Sequence, residues 1–200
     1  MPSLADLLTP ASTAVLTVEM QRGVIGDQVR PGMTALPEAA SRAGTVAAAA
    51  RVARAARAAG VRVVHATISL RADRAGVSIN NRMMAVLSRD PEQMREGTPA
   101  VEIIPELEVS ARDIVMNRVH GLTPFGGTEL DAVLRNLGVR TIVPVGGARV
   151  VAGRERPHRP PQALGQAHAA EAGQDHAATT SSAVVRVASS ASVLLMTSAA

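Results

Sequence analysis

The chain has 200 residues, enough to bury one ordinary hydrophobic core. It holds no Cys, Trp or Tyr and one aromatic residue, Phe125; its 21 basic residues are all Arg and face 17 acids, for a net charge of +4. That inventory excludes a disulfide framework, a cysteine-based zinc site, a thiol nucleophile and any aromatic platform for stacking bases. A hydrophobic share of 46% with 19% charged residues describes a folded domain rather than a disordered one. The isoelectric point of 11.2 reflects the lack of Lys, Tyr and Cys to titrate between His and Arg. With the Arg residues scattered, no basic footprint forms, and no nucleic-acid partner is expected. The first ten residues carry Asp6 and no basic n-region, and no apolar run approaches the roughly 18 residues of a membrane span. A cytoplasmic location with no membrane partner is the expectation.

Taken in chain order, residues 13–19, TAVLTVE, read as a first strand buried on both faces. A polar loop over 20–33 follows. Residues 37–59 are Ala-rich and predict one helix, with Arg51, Arg54 and Arg57 forming a solvated face and Gly60 as its stop. Residues 61–68, VRVVHATI, predict a second strand. A solvated turn around Asp73 and a short helical patch at 81–87 come next, then a stretch broken by Pro91, Gly97, Pro99 and Pro105. Residues 113–119, DIVMNRV, predict a third strand. Thr128 opens a helix with Asp131 at the capping-box position, and Leu130, Val133, Leu134 and Leu137 give it one apolar face. Residues 139–145 predict a fourth strand. Strands separated by helices of this length imply an α/β fold, a three-layer αβα domain with a mostly parallel, Rossmann-like sheet.

The character changes after Gly147. Residues 154–168, RERPHRPPQALGQAH, have no apolar period, and strand-like alternation returns only at 183–187, followed by an apolar run at 193–196. The domain therefore divides into 1–147 and a divergent continuation over 148–200. For that continuation two readings stay open. One is a loop, a weak helix near 162–172 and a final strand or helix; the other is out-of-frame text from a high-GC gene, which the use of Arg without Lys suggests.

Sites in a parallel α/β sheet form at the carboxyl ends of the strands. Glu19 closes the first strand, where a carboxylate beside an apolar run is costly unless paired or functional. Arg118 and His120 close the third, and Arg118 could clamp a carboxylate or pair with Glu19. For each, a plain surface role stays open. His65 reads as a packed or edge residue inside its strand. His158, His168 and His176 lie in the tail at spacings of ten and eight, where no carboxylate or further His is held rigidly as a partner, so no metal is expected. There is no G-x-x-x-x-G-K-[ST], no G-x-G-x-x-G after the first strand and no G-x-S-x-G, so no nucleotide cofactor is expected and a hydrolase elbow is missing.

The segment VLTVEMQRGVIGD resembles the opening of the isochorismatase-like cysteine hydrolases, a hydrophobic strand followed by an acid and Met-Gln. VRVVHATI is similar to that family's next strand. Residues 114–147, IVMNRVHGLTPFGGTELDAVLRNLGVRTIVPVGG, are similar to its third strand, S-A-F-x-G-T-x-L loop, helix and fourth strand. The resemblance spans about residues 10–147. It implies hydrolysis of amide or vinyl-ether bonds in small molecules, frequent oligomer formation, and an Asp-Lys-Cys triad. Glu19 falls at the Asp position and Arg118 near the Lys position. The family's Asn and Cys after strand four fall at Val150 and Ala152, so Ala152 stands where the nucleophile belongs. Hydrolysis impaired by that loss is the leading expectation, with His120 or Glu19 left to activate water. A non-catalytic small-molecule-binding or structural subunit of the same fold is the alternative. Phe125 sits where the family's loop carries its own Phe.

Overall fold

A computed structural model describes residues 3–79, 82–121, 123–146, 180–186 and 192–198. The strands are β1 (Thr13–Val18), β2 (Arg62–Ile68), β3 (Ile114–Arg118), β4 (Thr141–Gly146), β5 (Thr180–Arg186) and β6 (Ser192–Ser198). They make one sheet in the order β3-β2-β1-β4-β6-β5. The first four run parallel, in the places their apolar runs predict. β5 and β6 pair with each other antiparallel, and β6 joins β4 antiparallel. The helices are α1 (Leu4–Leu7), α2 (Ala35–Arg42), α3 (Thr45–Ala58), α4 (Arg82–Leu87) and α5 (Leu130–Asn136).

Alternate residues of the central strands serve the two faces of the sheet. Val15 and Val63 pack with Ala56 of α3, whereas Ala14, Leu16, Val18, Val64 and Ala66 pack with Leu130 and Leu134 of α5. The result is helix, sheet, helix, the three layers expected of an α/β domain. Small residues of α3, Ala49, Ala50, Ala53 and Ala56, face the protein interior and let the helix lie close to the strands.

Three local expectations change. The single helix over 37–59 is two, because Gly44 takes a left-handed φ of 63° between them. Such a backbone breaks an α-helix and is cheap only for Gly. The three Arg residues of α3 do not share one face. Each three-residue step falls roughly 60° short of a full turn, so Arg57, the last, swings toward the sheet and pairs with Asp113. At α5, Thr128 Oγ1 accepts the Leu130 N–H at 3.3 Å and donates to the Pro124 carbonyl at 2.6 Å. Asp131 does not complete the capping box. It pairs with Arg135 one turn on, at 2.8 Å.

Candidate functional site

β1 is followed by β2 and β3 on one side, and β4 lies on its other side. The order reverses between β1 and β4, and the crevice at their carboxyl ends is where an open α/β sheet receives ligands. Gly146 ends β4 directly against β1, where an added Cβ would lie 2.8 Å from the Val18 carbonyl oxygen.

Glu19 follows β1 at this point. Its N–H donates to the Ala66 carbonyl at 2.9 Å, continuing the ladder to β2. Its φ of 51° is left-handed, a conformation that a non-Gly residue holds at a cost of about 1 kcal/mol or more. The turn carries the carboxylate off the strand line to meet Arg118, with Arg118 Nη2 donating to Glu19 Oε1. Arg118 is the last residue of β3, in register with Ile68 of β2, so its side chain spans the end of β2 to reach Glu19. The Arg118 side chain is 2% exposed and that of Glu19 18%. Arg118 Nε and Nη1 are buried without a hydrogen-bond partner.

On the α5 side of the sheet a cavity of about 450 Å³ opens beside this pair, lined among others by Ala66, Met116, Arg118, His120, Pro124 and Thr128. The His120 ring lies over Gly127, where a Cβ would come within 3.1 Å of Cε1. The structure thus joins Glu19 to Arg118 and places Arg118 and His120 on one cavity. Glu19 is not among the residues lining that cavity. Ala152, the position of the expected nucleophile, lies outside the described residues, as do His158, His168 and His176. Among the described residues, no group of three His, Asp or Glu is placed to hold a metal ion, and no helix is long and apolar enough to cross a membrane.

Two polar arrangements escaped the sequence reading. Gln21 is fully buried. Its Oε1 accepts the Ile68 N–H at 2.9 Å, and its Nε2 donates to the carbonyls of Ile68 at 2.9 Å and Val101 at 2.7 Å. The side chain acts as a stretch of backbone, tying the end of β2 to the 99–104 segment two residues beyond Glu19. Backbone bonds from Ile104 to Met20 and from Arg22 to Glu102 complete that tie. A Gln directly after an apolar strand was a signal available in VEMQRG.

The second arrangement lies on the α3 face. His65 Nδ1 is 2.7 Å from Thr17 Oγ1, and Nε2 is 3.2 Å from Asp113 Oδ2. Asp113 also accepts Arg57 Nη2 at 2.7 Å and the Ser110 N–H at 2.9 Å. Burial pushes His65 below its ordinary value, so it is neutral. Burial alone would raise the Asp113 carboxyl, but Arg57, the Ser110 N–H and His65 outweigh it and hold the group low. The ionised carboxylate can only accept, so Nε2 carries the ring proton and Nδ1 accepts the Thr17 hydroxyl. The nucleophile-like hydroxyl of Thr17 is 2% exposed as a residue and sealed in the core, so this chain of groups is structural. His65 is packed, as expected of it.

The profile of the isochorismatase domain matches residues 13–151. Among solved structures, the chain is similar to a cysteine hydrolase from Pseudomonas syringae pv. phaseolicola, with 26% identity over 69% of this chain and 60% of that one and a TM-score of 0.55. It is also similar to an isochorismatase family protein from Desulfovibrio vulgaris, with 30% identity over 66% of this chain and 64% of that one and a TM-score of 0.54. The likeness to N-carbamoylsarcosine amidase from Thermoplasma acidophilum is 26% over 68% and 67% of the two chains, with a TM-score of 0.51. The chain thus spans less than two thirds of the length of the first two. No curated protein matches it. Strand order, register and the matched profile agree: the chain belongs to the isochorismatase family.

Proposed function

We propose that this chain binds a small molecule at the family's site without cysteine-based turnover. The observation that carries the reading is an acid and a buried cation joined at the switch point of the sheet, in a chain that contains no thiol. Acyl transfer through a covalent thioester needs a sulfur nucleophile, and the position aligned with it is Ala152. Glu19 retains the carboxylate with one more methylene, and Arg118 retains the positive charge while being unable to give up a proton at neutral pH. Binding survives such changes better than chemistry does, because function resides in the site rather than in the fold.

The purified chain is mixed with a panel of small amides, vinyl ethers and their acid products, and both product release and thermal unfolding are followed. A ligand held by the native state alone raises stability by about 2.7 kcal/mol at one hundred times its Kd. Stabilisation without product above the buffer rate is the expected result. Turnover that collapses in Glu19→Ala would instead establish water activation by Glu19 as the surviving chemistry. The reading takes residues 1–147 as the informative unit and 148–200 as out-of-frame text. It is supported by the antiparallel β5–β6 pair standing where a doubly wound sheet would continue in parallel. The coding DNA downstream of Gly146, translated in its other frames, tests that part directly: a Gly-Val-x-x-Asn segment followed by alternating strand and helix patterns is expected there, and its absence would overturn it.

A further inference from the structure

We propose that the outer edge of β3 is a self-association surface, on which a second copy of this chain pairs its own β3 antiparallel across a two-fold axis through Met116.

β3 ends the sheet, with β2 on one side and no described strand on the other. Along a strand, the backbone groups of alternate residues point to opposite sides. The Ser69 N–H donates to the Arg118 carbonyl at 3.0 Å, so Ile114, Met116 and Arg118 face β2. Val115 and Asn117 therefore turn their N–H and C=O groups outward, and no hydrogen bond among the described residues meets them. Such a row is a template for a further strand.

Proteins commonly block an edge with Lys, Pro or a bulge. β3 has none of these. The charges at its ends, Asp113 and Arg118, have side chains only 2% exposed, and each is committed to an ion pair. The Asn117 amide is folded back onto β2, accepting from Thr67 Oγ1 at 3.2 Å and donating to Ser69 Oγ at 2.8 Å. Val115 is 51% exposed, an apolar side chain left bare in mid-strand. The 450 Å³ cavity follows the same strand, bordered by the six consecutive residues 115–120. Side chains alternate between the faces, so a concavity that meets all six reaches the backbone edge as well as the α5 side.

The occupant of such an edge is an extended strand, and β3 suits its own copy. A two-fold axis through Met116 sets each Val115 against the partner's Asn117, and the two exchange both N–H···O bonds. Every outward group of both strands is then met. Moving the axis to Val115 would bring in Asp113, whose N–H is already held by the Ser110 carbonyl at 2.9 Å. Moving it to Asn117 would need Val119, beyond the end of the strand. Met116 packs on the α5 side, where it faces the partner's Met116 in the close, non-hydrogen-bonded position. A flexible thioether fills irregular gaps, which suits the mouth of the cavity. No exposed charge lies within β3, so like charges do not oppose each other across the axis despite the net +4 of each chain.

The full chain is followed by size-exclusion chromatography with light scattering and by amide exchange, over a range of concentrations. A particle of twice 20.6 kDa is expected, with exchange at Val115 and Asn117 slowing as it forms. Val115→Lys should weaken association at least tenfold and leave the far-UV circular dichroism unchanged, because the side chain is half exposed. Met83→Lys charges a residue of α4 that is 50% exposed and should leave association intact. A chain that stays monomeric at its highest soluble concentration overturns the proposal, whether those two amides exchange freely or are covered by a segment of the same chain. A dimer in which they stay unprotected, or which Val115→Lys leaves intact, overturns it as well. Equal weakening by Met83→Lys would reveal general hydrophobic association and overturn it too.

Discussion

Replacing Asp113 by alanine tests whether the Thr17–His65–Asp113–Arg57 chain holds the α3 face together. The Asp113 side chain is 2% exposed and accepts from Arg57, Ser110 and His65. Truncation leaves the His65 Nε2–H buried without an acceptor, a loss of about 1–3 kcal/mol. Arg57 is 19% exposed and keeps its bond to the Leu107 carbonyl at 2.9 Å, so it is only partly stranded. The Ser110 N–H loses a charge-assisted bond of about 1.5 kcal/mol. The sum, about 3–4 kcal/mol, falls at the lower end of the range for breaking a buried ion pair. For a chain of this size that lowers Tm by about 10 °C. Urea unfolding followed by far-UV circular dichroism measures it, since the absence of Trp and Tyr removes the usual fluorescence probe. A loss below about 1 kcal/mol at unchanged m would refute the argument, because it would show that water already satisfies these groups.

Acid should act on the same network. His65 lies below its ordinary 6.5 in the fold, so the unfolded chain takes the proton first and stability falls as pH drops below about 6.5. Asp113, held below its ordinary 3.8, adds a second loss below about pH 4, and chemical denaturation between pH 8 and 2 should show both. Stability that stays level or rises between pH 7 and 5 would contradict the first. Gln21→Leu strands the Ile68 N–H and two carbonyls, costing about 2–4 kcal/mol, and amide exchange at Ile68 should accelerate relative to mid-strand residues. Leu134→Ala empties a fully packed site beneath α5 and should lose about 2–5 kcal/mol in the same unfolding assay. Gly146→Ala places a Cβ 2.8 Å from the Val18 carbonyl, so β1 and β4 must part at the crevice; a loss of about 1–3 kcal/mol is expected, with ligand binding weakened alongside.

The amino-acid order alone determined the four parallel strands, the αβα layering and the family, because buried strands and amphipathic helices are written in local hydrophobic period. It also determined that no thiol chemistry is open to this chain, a matter of composition rather than of conformation. Glu19 and Arg118 could be nominated as charges at the ends of apolar strands, with their pairing one option among several. Only the tertiary structure decided that they meet, since their pairing depends on β2 lying between β1 and β3 and on a left-handed turn at Glu19. The same holds for Arg57, which the three-residue spacing assigns to solvent and the drift of the helix delivers to Asp113, 56 residues away in sequence. The Gln21 clasp and the unmatched edges of Arg118 were likewise illegible. Hydrogen-bond satisfaction is a property of what surrounds a group in space, and a linear pattern carries that information only where the partner is a near neighbour in the chain.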